Sequence, residues 1–176
     1  MPKAIYASTV GFYQEQGEGV DMSTDVDSGI AYKKDVISLS NSAAAVSRQL
    51  LRTESGSIVF VDPSSSTASR PVAITLPEAE AGLWFTILIK KAGGHANNST
   101  SISTGNNDTD FIGVFLCEED SDNNLLYPGA STSKITFDRS RTAGTMIELC
   151  CTGTEWAIIN CITDADVGEI TLADSA

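Results

Sequence analysis

From Ser57 onward the chain is a succession of short apolar, β-branched runs, each cut off by glycine, proline, asparagine or serine. This punctuation constrains the fold more than any other feature. "SIVFVD", "PVAITLP", "LWFTILIKK", "STSISTG", "FIGVFLC", "SKITFD", "TMIELCC" and "EWAIINCI" follow one another with no helical period between them. Runs of Val, Ile, Phe, Trp and Thr of this length suit a pleated, half-buried surface. The spacing predicts an all-β chain of about eight to ten short strands, folded as a jelly-roll or β-sandwich body. Parallel βαβ units are not expected, because their crossover helices have no counterpart in the sequence. No tandem repeat of solenoid type is visible.

The punctuation also places corners. In "ITLPEAEAGLWFTILIKKAGG" (residues 74–94) two strands meet at a short turn. Pro77 ends the first, since proline lacks the N–H that a ladder needs. Gly82 relieves the turn into the second. Thr152-Gly153-Thr154 joins the last two long runs as a hairpin, with Gly153 free to take a positive φ. "EEDSDNNLLYPGAST" (118–132) reads as a long acidic loop, and the tail after Ile162 has room for one more short strand. "SNSAAAVSRQLLRTESG" (40–56) is the one candidate helix, capped by Ser42 and stopped by Gly56. A turn or strand beginning at Val46 is an equal reading of the same residues.

Residues 1–40 differ from the body, 41–176. They mix Ile5, Tyr6, Val10, Phe12 and Tyr13 with glycine and acids, and no sustained period follows Thr9. This predicts an extended N-terminal arm with a strand at "KAIYAST" and another near "IAYKKDVISL". Such an arm lies against the domain or a neighbour. Its aromatic and branched residues Ile5, Tyr6, Phe12 and Tyr13 are the candidate partner contacts, because aromatics dominate interface energetics.

Charge and chemistry exclude several function classes. Eleven Lys and Arg against 23 Asp and Glu give a net charge of -12. Such a surface repels phosphate backbones, so no nucleic-acid partner is expected. No apolar run approaches the ~20 residues of a membrane helix, and "MPKAIYASTVGFYQEQG" lacks the pattern of a secretory signal. A protein made in a cytosol, with no membrane partner, is expected. Cys117, Cys150, Cys151 and Cys161 form no CxxC, and with one histidine they do not suggest zinc. Free buried thiols are expected in a reducing compartment, with a Cys150–Cys161 or Cys151–Cys161 bridge across the hairpin as the alternative. His95 stands in a Gly/Asn loop without a nucleophile or orienting acid. Gly93-Gly94 opens no phosphate loop. The acid pairs Asp25/Asp27, Asp108/Asp110, Asp120/Asp122 and Asp164/Asp166 single out no catalytic pair. Glu118–Asn124 lacks the glycine and terminal glutamate of an EF-hand loop, so a solvated loop is the reading. Trp84 and Trp156 stand among apolar neighbours and are assigned to the core. No enzyme, metal or cofactor is expected.

Three stretches carry a resemblance: "VSRQLLRTESGSIVFVD", "ITLPEAEAGLWFTILI" and "GTMIELCCTGTEWAII". The matching positions are Ser55-Gly56, Thr75-Leu76-Pro77, Ala81-Gly82-Leu83, Phe85-Thr86, Gly144, Ile147, Leu149, Gly153 and Trp156. In this order the features resemble virion proteins of tailed bacteriophages, particularly head-decoration (cement) proteins and some related tail proteins. The resemblance runs from Ala45 to Asn160. It implies a homotrimer at local three-fold positions of an expanded icosahedral shell, on the outer surface of the virion. There it would clamp neighbouring copies of the major capsid protein against internal pressure. The related tail proteins imply the alternative, a tail-fibre or tail-tip domain that recognises a host glycan.

Overall fold

The computed structural model describes residues 4–7, 11–14, 35–63, 65, 68–90, 98–105, 109–119, 122–129, 131–138, 143–163 and 170–174. The chain divides into two units, Met1–Lys34 and Asp35–Ala176. In the first, β1 (Ala4–Ala7) and β2 (Gly11–Gln14) pair antiparallel. The strand expected at "KAIYAST" is there. The strand expected near "IAYKKDVISL" is Val36–Ser40, in the second unit, and the strand at Gly11–Gln14 lies where the sequence shows too little alternation to announce it.

The second unit is all-β, built from two multi-stranded sheets. Its first six strands are β3 (Val36–Ser40), β4 (Val46–Gln49), β5 (Ile58–Asp62), β6 (Val72–Thr75), β7 (Trp84–Ile89) and β8 (Thr100–Ser103). They alternate strictly between the sheets. β3, β5 and β7 run parallel in the larger sheet, and β4, β6 and β8 run parallel in the smaller. Parallel pairing therefore occurs here without a crossover helix among the described residues, in a sandwich and not in βαβ units. Each return connection is itself a strand of the opposite sheet, so the chain winds as a flattened coil. The winding has no fixed period. Val36, Ile58 and Thr86 fall in one register and Val46, Val72 and Thr100 in another, and the spacing changes from one step to the next within each. That is why no repeat can be read from the residues.

The remaining strands are β9 (Phe111–Gly113), β10 (Phe115–Glu119), β11 (Asp122–Leu126), β12 (Lys134–Phe137), β13 (Met146–Cys151), β14 (Trp156–Thr163) and β15 (Ile170–Ala173). The larger sheet has the order β11-β10-β14-β13-β7-β5-β3, with β9 also on β14, and the smaller has β15-β12-β8-β6-β4. β6 and β7, which read as partners at the Pro77 and Gly82 corner, lie in different sheets. The corner is a passage between layers, and Gly82 takes a φ of 88° within it. The candidate helix resolves into its alternative: β4 starts at Val46, and only one 3-10 turn, Arg52–Glu54, follows. In that turn the Glu54 carboxylate accepts from the Leu51 backbone N–H and pairs with Arg48.

Two further expectations are corrected. "FIGVFLC" is two strands, because Gly113 bends the chain at a φ of 120° where a Cβ would stand 2.8 Å from the Ile158 carbonyl oxygen. The stretch taken as a long acidic loop contains β11, which pairs antiparallel with β10, Glu118 opposite Asn123 and Glu119 opposite Asp122. Asparagine and aspartate depress strand propensity, so the hairpin is invisible without its partner strand. The hairpin at Gly153 and the short strand in the tail stand as expected.

The core lies between the sheets. Val59, Ile87, Ile147 and Cys161 form one inward row of the larger sheet, and Ile74, Ile102 and Ile135 one row of the smaller. Phe115 of the larger sheet meets Phe137 of the smaller edge-on, with ring centroids 6.3 Å apart. At one corner the buried Asn41 and Asn98 tie the turns together. Asn41 Oδ1 accepts from Ser65 N–H at 2.9 Å, and Asn98 Oδ1 accepts from Arg70 N–H at 2.7 Å. A buried turn must find such partners for its backbone. Asn98 also heads an N-x-S/T sequon, and its buried, bonded amide is closed to modification.

Candidate interaction face

The two sheets present opposite chemistry to the outside. On the smaller sheet the outward row is Ser47, Ala73, Ser101, Thr136 and Thr171, in register across five strands. The next row is Gln49, Thr75, Ser103, Lys134 and Ala173. Apart from Gln49 and Lys134 these are small or hydroxylated residues, the ordinary composition of a solvated sheet face.

On the larger sheet the corresponding row is Phe60, Leu88, Met146, Ile162 and Leu116, again in register across five strands. Ile162 is 54% exposed and Leu116 44%. A second row contains Trp84, Cys150, Ala157 and Ile112. Between them run Val36, Ile58, Thr86, Glu148 and Asn160. Glu148 is the only charged side chain in these three rows among the described residues.

Ile159 accentuates the face. The β13–β14 register shifts after Glu148, which pairs with Asn160, while Leu149 pairs with Ile158. Ile159 is therefore the extra residue of a bulge, the device by which a strand re-aims a side chain. It is 65% exposed. Alternating strands with one polar face would put Ser, Thr or Lys at these positions. Apolar residues there set the outer side of this sheet apart from an ordinary solvated face.

Trp156 is fully buried, with its ring centroid 6.0 Å from that of Phe85. Trp84 departs from the core reading: it is half-buried on the outward face, opposite Cys150. Period-two patterning places both tryptophans in strands but does not say which side of a doubly apolar strand each takes.

The cysteines are all free thiols. Neither hairpin bridge forms, because the register sets Cys161 opposite Ile147, Cys150 opposite Ala157 and Cys151 opposite Trp156. Cys117, Cys151 and Cys161 are buried, and Cys150 is half-exposed on the apolar face. Burial, with Cys117 nearby, pushes the Cys161 thiol up to about 12 from its ordinary 9.0. The native state thus holds a proton that the unfolded chain releases, so stability falls as pH rises above about 9. Urea midpoints at pH 8 and pH 10 will show this fall, and Cys161→Ala will reduce it. An equal fall in the variant would assign it to other groups.

In the arm unit the register brings Ile5 opposite Tyr13 and Tyr6 opposite Phe12. The four residues singled out as partner contacts thus stand on adjacent strands. His95 and Gly93-Gly94 lie outside the described residues, as do the side chains of Glu118–Asn124. Among the described residues no group of His, Cys, Asp and Glu is arranged to hold a metal ion. Among the described residues no helix is long and apolar enough to cross a membrane. Compared with known protein families and with curated proteins, the chain matches none.

Proposed function

We propose that this chain is a non-enzymatic virion protein that decorates the outer surface of a tailed-phage capsid and bridges neighbouring capsomers. The observation that carries the reading is the apolar outward face of the larger sheet, set against the hydroxylated face of the smaller. A protein that works by being covered needs such a face. The residues of the resemblance support it as well. Gly56, Gly82, Gly144 and Gly153 all stand at turns with positive φ, so the shared pattern marks the corners that shape the body. In this reading the chain is made in the host cytoplasm and acts as a homotrimer. The arm, through Ile5, Tyr6, Phe12 and Tyr13, engages the major capsid protein or a sister subunit.

Co-sedimentation with purified heads tests the reading. The full chain is expected to pellet with expanded capsids and to raise their resistance to heat. Failure to pellet with expanded heads would overturn it.

One observation favours a second reading, a tail-fibre or tail-tip domain that binds a host glycan. Trp84 is half-buried on the outer face, and an accessible indole can stack on a sugar ring. Loss of host-cell adsorption in Trp84→Ala, with capsid binding absent in the wild type, would select this alternative.

A further inference from the structure

We propose that the apolar outward face of the larger sheet is where this chain meets a second copy of itself. The inference deepens the homotrimer of the proposed function by naming the face that holds it.

Charge argues for a second copy. At a net charge of -12, two copies repel over most of their surfaces. The three rows around Met146 carry Glu148 as their only charge among the described residues, so this is a face across which two equally acidic molecules can approach. Asp62 and Lys90, which continue the outward side of β5 and β7 beyond the Phe60–Leu88 row, give it a polar rim. An apolar centre with a polar rim is the anatomy of a protein interface.

Size argues the same way. Five strands about 4.8 Å apart, and three rows about 6.7 Å apart, give a flat area on the order of 500 Å². This face and an equal area of the second copy together bury about 1,000 Å², the lower bound of a specific interface.

Cys150 is a built-in reporter. It lies on this face opposite Trp84 and Ala157, and the other three thiols are buried in the core. Alkylation of the folded full chain by N-ethylmaleimide therefore reads coverage of the face. The experiment combines sedimentation equilibrium with the alkylation rate, in the absence of capsids. The wild type is expected to be an oligomer at micromolar concentration, with Cys150 protected and deprotected on dilution. Ile162→Glu and Leu116→Lys place a charge on exposed positions of the face. Each is expected to weaken association at least about tenfold and to speed alkylation in proportion. Thr171→Glu, on the exposed outer face of the smaller sheet, is expected to change neither.

A monomeric wild type overturns the inference, as does an oligomer whose Cys150 reacts at the rate of a free thiol. So does Ile162→Glu or Leu116→Lys associating like the wild type. If either variant fails to fold, the other variant and the dilution dependence of wild-type alkylation still decide. Because no capsid is present, failure here is distinct from failure to bind heads.

Discussion

Removal of residues 2–20 is expected to reduce capsid co-sedimentation to background while leaving the body folded. The buried cluster that holds the body extends from Leu39 to Ile170, and the arm unit ends at Lys34. The truncated chain should therefore keep its circular dichroism and its melting temperature. The loss falls on binding, because a two-stranded hairpin of this length is marginal in water and gains stability only against another surface. Ile5 opposite Tyr13 and Tyr6 opposite Phe12 supply apolar and aromatic anchors of the kind that carry most interface energy. Single changes Tyr6→Ala and Phe12→Ala should each weaken binding severalfold. Undiminished binding by the truncated chain would remove the arm from the account and leave the body faces as the capsid contact.

The largest effect on stability is expected from Trp156→Ala. Trp156 is fully buried, packs on Phe85 and opens β14 at its register with Phe111. Truncating it leaves a cavity that a close-packed interior cannot collapse, at a cost of about 3–5 kcal/mol. For a body of this size that lowers the melting temperature by roughly 10 °C. Trp156→Phe separates packing from polarity. The indole N–H has no hydrogen-bond partner among the described residues, so phenylalanine keeps much of the volume and removes an unsatisfied donor. It should cost well under half as much as alanine in urea or thermal unfolding. Equal losses in the two variants would mean that the indole makes an essential contact through its nitrogen.

The sequence announced strands well and their partners poorly. β5, β7, β12, β13 and β14 are legible because β-branched and aromatic residues fill them and Gly or Pro bounds them. What period-two patterning lacks is the address of each strand. Val59 and Ile74 are equally apolar, yet they line opposite sheets. The passage between layers at Pro77 and Gly82 therefore looks the same as a hairpin. β11 was hidden for the opposite reason: its Asp122-Asn123-Asn124 opening has loop composition and is ordered by pairing with β10. The outward face was missed too. Phe60, Leu88, Met146 and Leu116 look like core residues in a one-dimensional reading, and only the register shows that they share the outer side of one sheet. The signal was present in the nearly continuous apolar run "WFTILI", where both sides of a strand are apolar although one side already fills the core.

Immunogold labelling of intact virions with antibody raised to this chain tests the central claim most directly. Dense label over the head is the result expected of a capsid decoration protein. Label confined to the tail or its tip, or none on any particle, would contradict it.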